Sequence, residues 1–349
     1  MQRRFRFVLR RDHRMSASRW AAGLALLATG ACQSPPPLAP DALDWAVREA
    51  SATIECGEDI IIAGQRFAVG RPVVLWTDEG GYNAYQTSIR PGSEPAFVDA
   101  TGRRYSPGRQ TPSQSSRTLA GPVSSDLAEL GRAVDQFVVH YDVCGISRTC
   151  FEVLHHGRGL SVHFLLDIDG TIYQTLDVRE TAWHATRSNA RSIGVELAHI
   201  GAYPPSERVA IERWYALDSE GPRITLPERL GDGGVRTPGF TGRPARPELI
   251  EGRINGSWLV QYDFTPEQYD SLAALAATLS GALPGIRLEV PRDPSGAIIQ
   301  DTLSDEAWRS FAGLLGHHHI QTNKLDPGPA FDWERLAEAL SGHFEPGTK

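Results

Sequence analysis

The densest run of chemistry-bearing side chains is LGHHHIQTNKLDPGPAFDW, residues 315–333. Three imidazoles, His317, His318 and His319, precede Lys324 and Asp326, and Asp326 stands directly before Pro327. A residue before proline is driven to extended backbone, so Lys324 and Asp326 project to the same side, a cation beside a carboxylate. Such a set could hold a metal. Zinc at a catalytic site takes three protein ligands from His, Cys and carboxylate and keeps one position open for water. His317 and Asp326 supply two, and His140, ending the apolar run Gln136-Phe-Val-Val-His140, supplies a third from far away in the chain. Consecutive histidines diverge in a strand or a helix, so at most one or two of the three can ligate, with His319 in reserve for His317. Each residue also has a plainer use: His140 as a structural or solvated strand end, Asp326 as a turn former, Lys324 as a surface charge. No short spacing rule joins them.

These groups need elements to carry them. Ser125 reads as the cap of a helix with apolar positions Leu127, Leu130 and Val134. The strand Gln136–His140 follows, then strands Val162–Asp167 and Thr171–Thr175 flanking Asp169-Gly170, a dipeptide suited to a tight hairpin turn. In Ser192–Leu197 the alternation puts Ser192, Gly194 and Glu196 on one face and Ile193, Val195 and Leu197 on the other, so the acid faces away from the apolar side. Residues 201–256, rich in Pro, Gly and Arg, read as a long and mostly irregular insertion, a functional loop. Thr265-Pro-Glu-Gln268 is a helix start with a capping box and Pro at the first position, followed by the stripe Tyr269, Leu272, Leu275, Leu279. A last helix near Asp332–Leu340 presents Trp333, Leu336 and Leu340. Strands mixed with helices of this length imply an α/β fold, a central sheet with helices packed on it.

The chain has 349 residues, 41 % of them hydrophobic, and can bury one substantial core. Its formal charge of −7 is spread widely, with no basic block to track a phosphate backbone, so nucleic acid is not an expected partner. Trp20–Ala28 is an apolar run too short to span a bilayer and reads as an export signal, with Met15 as an alternative start to Met1. It ends Thr29-Gly-Ala-Cys32, which resembles the lipobox of bacterial lipoproteins, although Thr29 stands where Leu is usual; Gln-Ser-Pro-Pro-Pro then makes a stiff tether. The alternative is an ordinary cleaved signal with Cys32 incidental. Of the four cysteines, Cys32, Cys56, Cys144 and Cys150, the close pair 144/150 is the natural disulfide of an exported chain; the alternative is two reduced thiols. Residues 41–118 carry short apolar pieces and the polar stretch 103–117, an extension whose independence the sequence leaves open.

Five blocks, FVVH (137–140), LSVHFLLDIDGTIYQ (160–174), AWHA (182–185), RSIGVE (191–196) and GH followed by KLDPGPAFDW (316–333), resemble in their order the zinc-dependent N-acetylmuramoyl-L-alanine amidases, whose fold is shared with peptidoglycan recognition proteins. The resemblance implies a mixed central β-sheet flanked by helices, with a Zn2+ held by His140, His317 and Asp326. It further implies Glu196 as general base, Lys324 as oxyanion stabiliser, and His184 with Asn189 against the substrate. Cys144 and Cys150 match a disulfide common in the recognition-protein branch, and Val162 stands where some relatives carry a catalytic tyrosine. The function it implies is hydrolysis of the amide between N-acetylmuramic acid and L-alanine of peptidoglycan. Alternatives are a non-catalytic peptidoglycan-binding module, which would lack the Asp326 ligand, an amidase of soluble muropeptides, and a structural zinc completed by a cysteine. The expected organisation is a signal peptide (1–31), a lipoprotein tether (32–40), the extension (41–118) and the catalytic domain (119–345), anchored by lipid on Cys32 to the outer membrane and facing the periplasm.

Overall fold

The computed structural model describes residues 57–88, 95, 97–109 and 126–342; the leader, the tether, Cys32, Cys56 and Ser125 lie outside them. Thirteen strands are described: β1 Gly57–Ile62, β2 Gln65–Leu75, β3 Tyr105–Ser106, β4 Gln136–Tyr141, β5 Phe164–Leu166, β6 Ile172–Gln174, β7 Thr181–Ala182, β8 Ser192–Leu197, β9 Tyr215–Asp218, β10 Gly221–Ile224, β11 Ile250–Ile254, β12 Ser257–Gln261 and β13 Gly313–Gly316. Seven of these form one mixed sheet in the order β1-β2-β6-β5-β8-β4-β13. β5, β8, β4 and β13 run parallel as neighbours, β6 is antiparallel to β5, β2 is parallel to β6, and β1 is antiparallel to β2.

The two faces of this sheet have different work. Phe137, Val139, Phe164, Leu166, Ile193, Val195, Leu197 and Leu314 share one apolar core with Tyr269, Leu272, Leu275 and Leu279 of the helix Pro266–Ala282 and with Trp333, Leu336 and Leu340 of the helix Trp333–Gly342. The helix Pro266–Ala282 starts where its sequence says. Thr265 Oγ1 accepts from Gln268 N at 3.1 Å and Gln268 Oε1 accepts from Thr265 N at 3.1 Å, a reciprocal cap whose loss typically costs about 1 kcal/mol. The helix Leu127–Ala133 is capped by Asp126, whose carboxylate accepts from Ala128 N at 2.9 Å, and not by the expected Ser125.

Residues 57–109 complete the sheet. β2 pairs with β6 through Val73–Leu75, β3 pairs with β7, and the buried Arg109 guanidinium donates to the carbonyls of Val178, Asn189 and Ser192. The insertion is more regular than its composition suggests: it holds the hairpin β9–β10, the helix Val209–Glu212, and the strand β11 with the turn that leads into β12 just beyond it. The β11–β12 turn is Asn255-Gly256, both at positive φ (45° and 80°), the residue pair that such two-residue turns favour. Cys144 and Cys150 are free thiols in contact through a side-chain hydrogen bond, so the expected disulfide is not formed in this structure.

Candidate metal centre and active site

In open α/β sheets, sites form beyond the carboxyl ends of the parallel strands, and here three adjacent strands end together. His140 of β4 is the register partner of Glu196 on β8, so the two side chains leave the sheet on the same face. On the other flank Gly316 of β13 pairs with Val139, and His317, next in the chain, lies beside His140; their ring centroids are 4.5 Å apart. The alternation that points Val139, Val195 and Leu197 at the helices is what points His140 and Glu196 away from them.

Asp326 closes the constellation. Its Oδ2 lies 2.8 Å from His140 Nδ1 and 3.1 Å from His317 Nδ1. Among the described residues this is the one group of three or more His, Cys, Asp or Glu whose donor atoms all lie within 4.8 Å of one another. Tetrahedral zinc, with bonds of about 2.0–2.2 Å, sets its ligand atoms roughly 3.3 Å apart, and the donor set of two imidazole nitrogens and one carboxylate oxygen fits that demand. All three residues are buried. Burial, with His317 alongside, holds His140 down to about 4, so its ring is neutral at pH 7 and has a lone pair to give. Burial works against ionisation of Asp326, but His317 and the hydrogen bond from His140 hold its carboxyl well below the usual range.

The outward nitrogens are also engaged. His317 Nε2 lies 2.8 Å from Gln321 Oε1, an acceptor able to hold the ring proton on Nε2 when Nδ1 gives its lone pair to a metal. His140 Nε2 lies 3.0 Å from His184 Nδ1, and His184 Nε2 is 3.2 Å from Ser192 Oγ. The His184 ring lies flat over β8 because Gly194 has no side chain there: a Cβ would come within 2.5 Å of His184 Nδ1.

Glu196 Oε2 is buried without a hydrogen-bond partner among the described residues. Burial first, then the like charges of Asp326 and Asp142, push its carboxyl well above the usual range, while the Lys324 ammonium pulls the other way. Lys324 is half-buried and close enough for its charge to act on both His140 and Glu196. An unpartnered acid whose pKa is raised by burial, beside a cation and a metal-competent triad, is a candidate to take up and return a proton.

The three consecutive histidines do diverge. His317 faces the triad; His318 Nδ1 lies 3.0 Å from the Asp326 carbonyl; His319 Nδ1 accepts from Gly316 N at 2.9 Å while its Nε2 meets the Ile299 carbonyl. His319 therefore takes no part in the triad. Asn189 spends its side-chain oxygen on the backbone of His184 and Ala185, at 3.1 and 2.7 Å, and holds the turn that carries His184. Val162 is buried in a second apolar cluster with Phe151, Leu165 and Tyr173 and offers the site no polar group. Sequence reasoning passed over Gln321 and Asn255. The first stands one helical turn after His317, the second in an Asn-Gly pair, and both signals were readable.

Residues 130–220 match the N-acetylmuramoyl-L-alanine amidase family profile. That stretch contains His140, His184 and Glu196 and ends before His317. No curated protein matches the sequence. Among solved structures the chain is similar to the E. coli amidase AmiD in complex with the substrate anhydro-N-acetylmuramic acid-L-Ala-D-γ-Glu-L-Lys, at 18 % identity over 59 % of this chain and 57 % of that one, TM-score 0.32. AMPDH3 of Pseudomonas aeruginosa in complex with anhydromuramic pentapeptide gives 18 % identity, 64 % of each chain and a TM-score of 0.34. Drosophila peptidoglycan recognition protein SD gives 11 % identity over 75 % of this chain and 90 % of that one, TM-score 0.33.

Proposed function

We propose, for a chain that belongs through residues 130–220 to the N-acetylmuramoyl-L-alanine amidase family and is an enzyme of that class, zinc-dependent hydrolysis of the amide between N-acetylmuramic acid and the L-alanine of peptidoglycan stem peptides. The observation that carries the reading is the convergence of His140 Nδ1, His317 Nδ1 and Asp326 Oδ2 beside Glu196 and Lys324, groups up to 186 residues apart in the chain. A zinc ion bound to these three donors would bring the pKa of its water to about 7.

The remaining roles fall to the protein's own groups. With a metal bound, Gln321 and His184 would accept from the outward Nε2–H of His317 and His140, leaving both Nδ1 atoms free to ligate. Glu196 takes the proton of the attacking water and returns it to the leaving amine; its raised pKa suits both halves of that exchange. Lys324, whose charge reaches Glu196 and His140, would offset the negative charge that grows on the substrate carbonyl oxygen, and removing such a donor typically costs about a hundredfold or more in rate.

The test is on purified sacculi, with metal content measured on the same preparation. One zinc per chain together with release of free stem peptides supports the reading. Zinc without release would favour a binding module, and release from soluble muropeptides alone would restrict the substrate. Export as a lipoprotein on Cys32, facing the periplasm, belongs to the same proposal. It rests on residues outside those described, and labelling with a radioactive fatty acid that disappears in Cys32→Ser would support it.

A further inference from the structure

Two of the three donor side chains, His317 and Asp326, come from one stretch that is neither strand nor long helix: a three-residue 3₁₀ turn, His317–His319, followed by a loop. Something must fix the shape of that loop, because its shape sets the separation of the two donors. The β11–β12 hairpin lies against it. Asn255, at the hairpin turn, directs its Nδ2 at three loop carbonyls, Lys324 O at 2.8 Å, Gln321 O at 3.1 Å and His318 O at 3.2 Å. On the other side its Oδ1 accepts from Thr302 N at 2.8 Å and from Thr302 Oγ1 at 3.1 Å, and Thr302 Oγ1 also lies 2.7 Å from His318 O.

A turn residue at φ 45° has no need of these bonds; a glycine would make the same turn. What the side chain does is gather three carbonyls that lie between His317 and Asp326 around one amide. Without that donor the three carbonyl dipoles would face each other across a gap, and the loop would relax outward. The far end of the same hairpin holds the continuation of the loop: Gln261 Nε2 donates to Pro327 O at 3.0 Å and Gln261 Oε1 accepts from Ala330 N at 3.0 Å, with Gln261 buried. Gly252 of β11 meets Pro329 so closely that a Cβ would stand 2.6 Å from the proline ring. The hairpin thus grips the donor loop at both ends.

We infer that Asn255 is a positioning residue for the metal centre, its carboxamide setting the spacing of His317 and Asp326 through the carbonyls of residues 318, 321 and 324. The inference rests on the metal reading above. It goes further by giving part of the insertion a defined task at that centre.

Asn255→Gly is the discriminating variant, since glycine takes the positive φ freely and removes only the clamp. Zinc affinity is measured by competition with a chromophoric chelator, ligand geometry by the visible absorption of the cobalt(II) form, and stability by thermal unfolding of metal-free protein. The expected result is a zinc Kd raised about 10- to 100-fold and a changed cobalt spectrum, with metal-free unfolding close to that of the parent. Asn255→Asp, which turns an acceptor toward three carbonyls, is expected to lose at least as much. Wild-type zinc affinity and cobalt spectrum in Asn255→Gly would overturn the inference, as would an affinity loss wholly matched by unfolding of the metal-free protein. Should that variant fail to fold, Thr302→Val decides, because it leaves the turn intact: a several-fold rise in Kd supports the clamp and no change overturns it. Failure of the unmutated protein to take up zinc would instead remove the metal reading, and this inference with it.

Discussion

The two imidazoles of the candidate metal centre are held by different means. His140 stands next to last in β4, a strand paired with β8 along its whole length and with β13 as far as Val139, and its position follows from backbone hydrogen bonds that many residues share. His317 stands one residue past the end of the edge strand β13, and its ring and its loop depend on the side chains of Gln321, Asn255 and Gln261. A strand places its residues redundantly; a loop relies on a few polar contacts, each worth little alone and costly to leave unmade when buried. The difference predicts where the site is robust and where it is fragile.

The severest break is loss of a donor. His140→Ala should abolish stoichiometric zinc and turnover together, read by metal analysis and by release of stem peptides. One zinc per chain retained in that variant would place the centre elsewhere. Next comes Glu196→Gln, which leaves the donors untouched: zinc should remain at one per chain while kcat falls about 10²- to 10⁴-fold. A near-normal kcat there would mean that another group takes the proton. The contrast between strand and loop is sharpened by their outer partners. Gln321→Ala should raise the zinc Kd by about 10- to 100-fold, and His184→Ala by less, since the β4 backbone still fixes His140 when its partner is gone. Equal losses in the two variants would say that strand pairing gives no extra hold.

The same contrast explains what could be read from the sequence. β8 runs from Ser192 to Leu197 as expected, because apolar alternation over six residues leaves one register for a strand with one face on helices. The capping box at Thr265 likewise marks its helix to the residue. His317 and Asp326 were nameable as candidate donors by residue type, while the full set of three was implied only by the family resemblance. What was not legible was pairing at a distance. Nothing local in Val73–Leu75 says that it joins Ile172–Gln174 and puts the N-terminal segment into the central sheet. The strand expected at Val162–Asp167 shrinks to Phe164–Leu166 because the Ser161 amide goes to the Trp183 carbonyl and the Val162 carbonyl to the Thr175 hydroxyl. The contact of His184 Nδ1 with a ring nitrogen of His140, across the glycine gap in β8, had no local signal either.

A smaller effect separates two carboxyls near the ends of the neighbouring strands β8 and β5. Glu196 is on β8 beside the triad, while Asp167 follows β5 in the turn that leads to β6. There its Oδ1 accepts from Ile168 N at 2.8 Å and its Oδ2 is buried without a hydrogen-bond partner among the described residues. Burial, then the neighbouring Asp169, pushes Asp167 up to about 8, far above the ordinary carboxylate value near 3.8. A folded-state pKa above the unfolded one means that folding takes up a proton. The stability tied to that proton is full below about pH 4 and is lost as pH rises through 8. Asp167→Asn removes this titration, so metal-free variant and parent should unfold at similar temperatures near pH 4 and draw apart as pH rises to about 8, the variant then the more stable by a gap that stays constant at higher pH. Because Asp167 touches none of the donor atoms, zinc affinity should be unchanged in the same variant. A difference that does not grow with pH would show that the Asp167 carboxyl titrates normally, and a raised zinc Kd would tie the ends of β5 and β8 into one site.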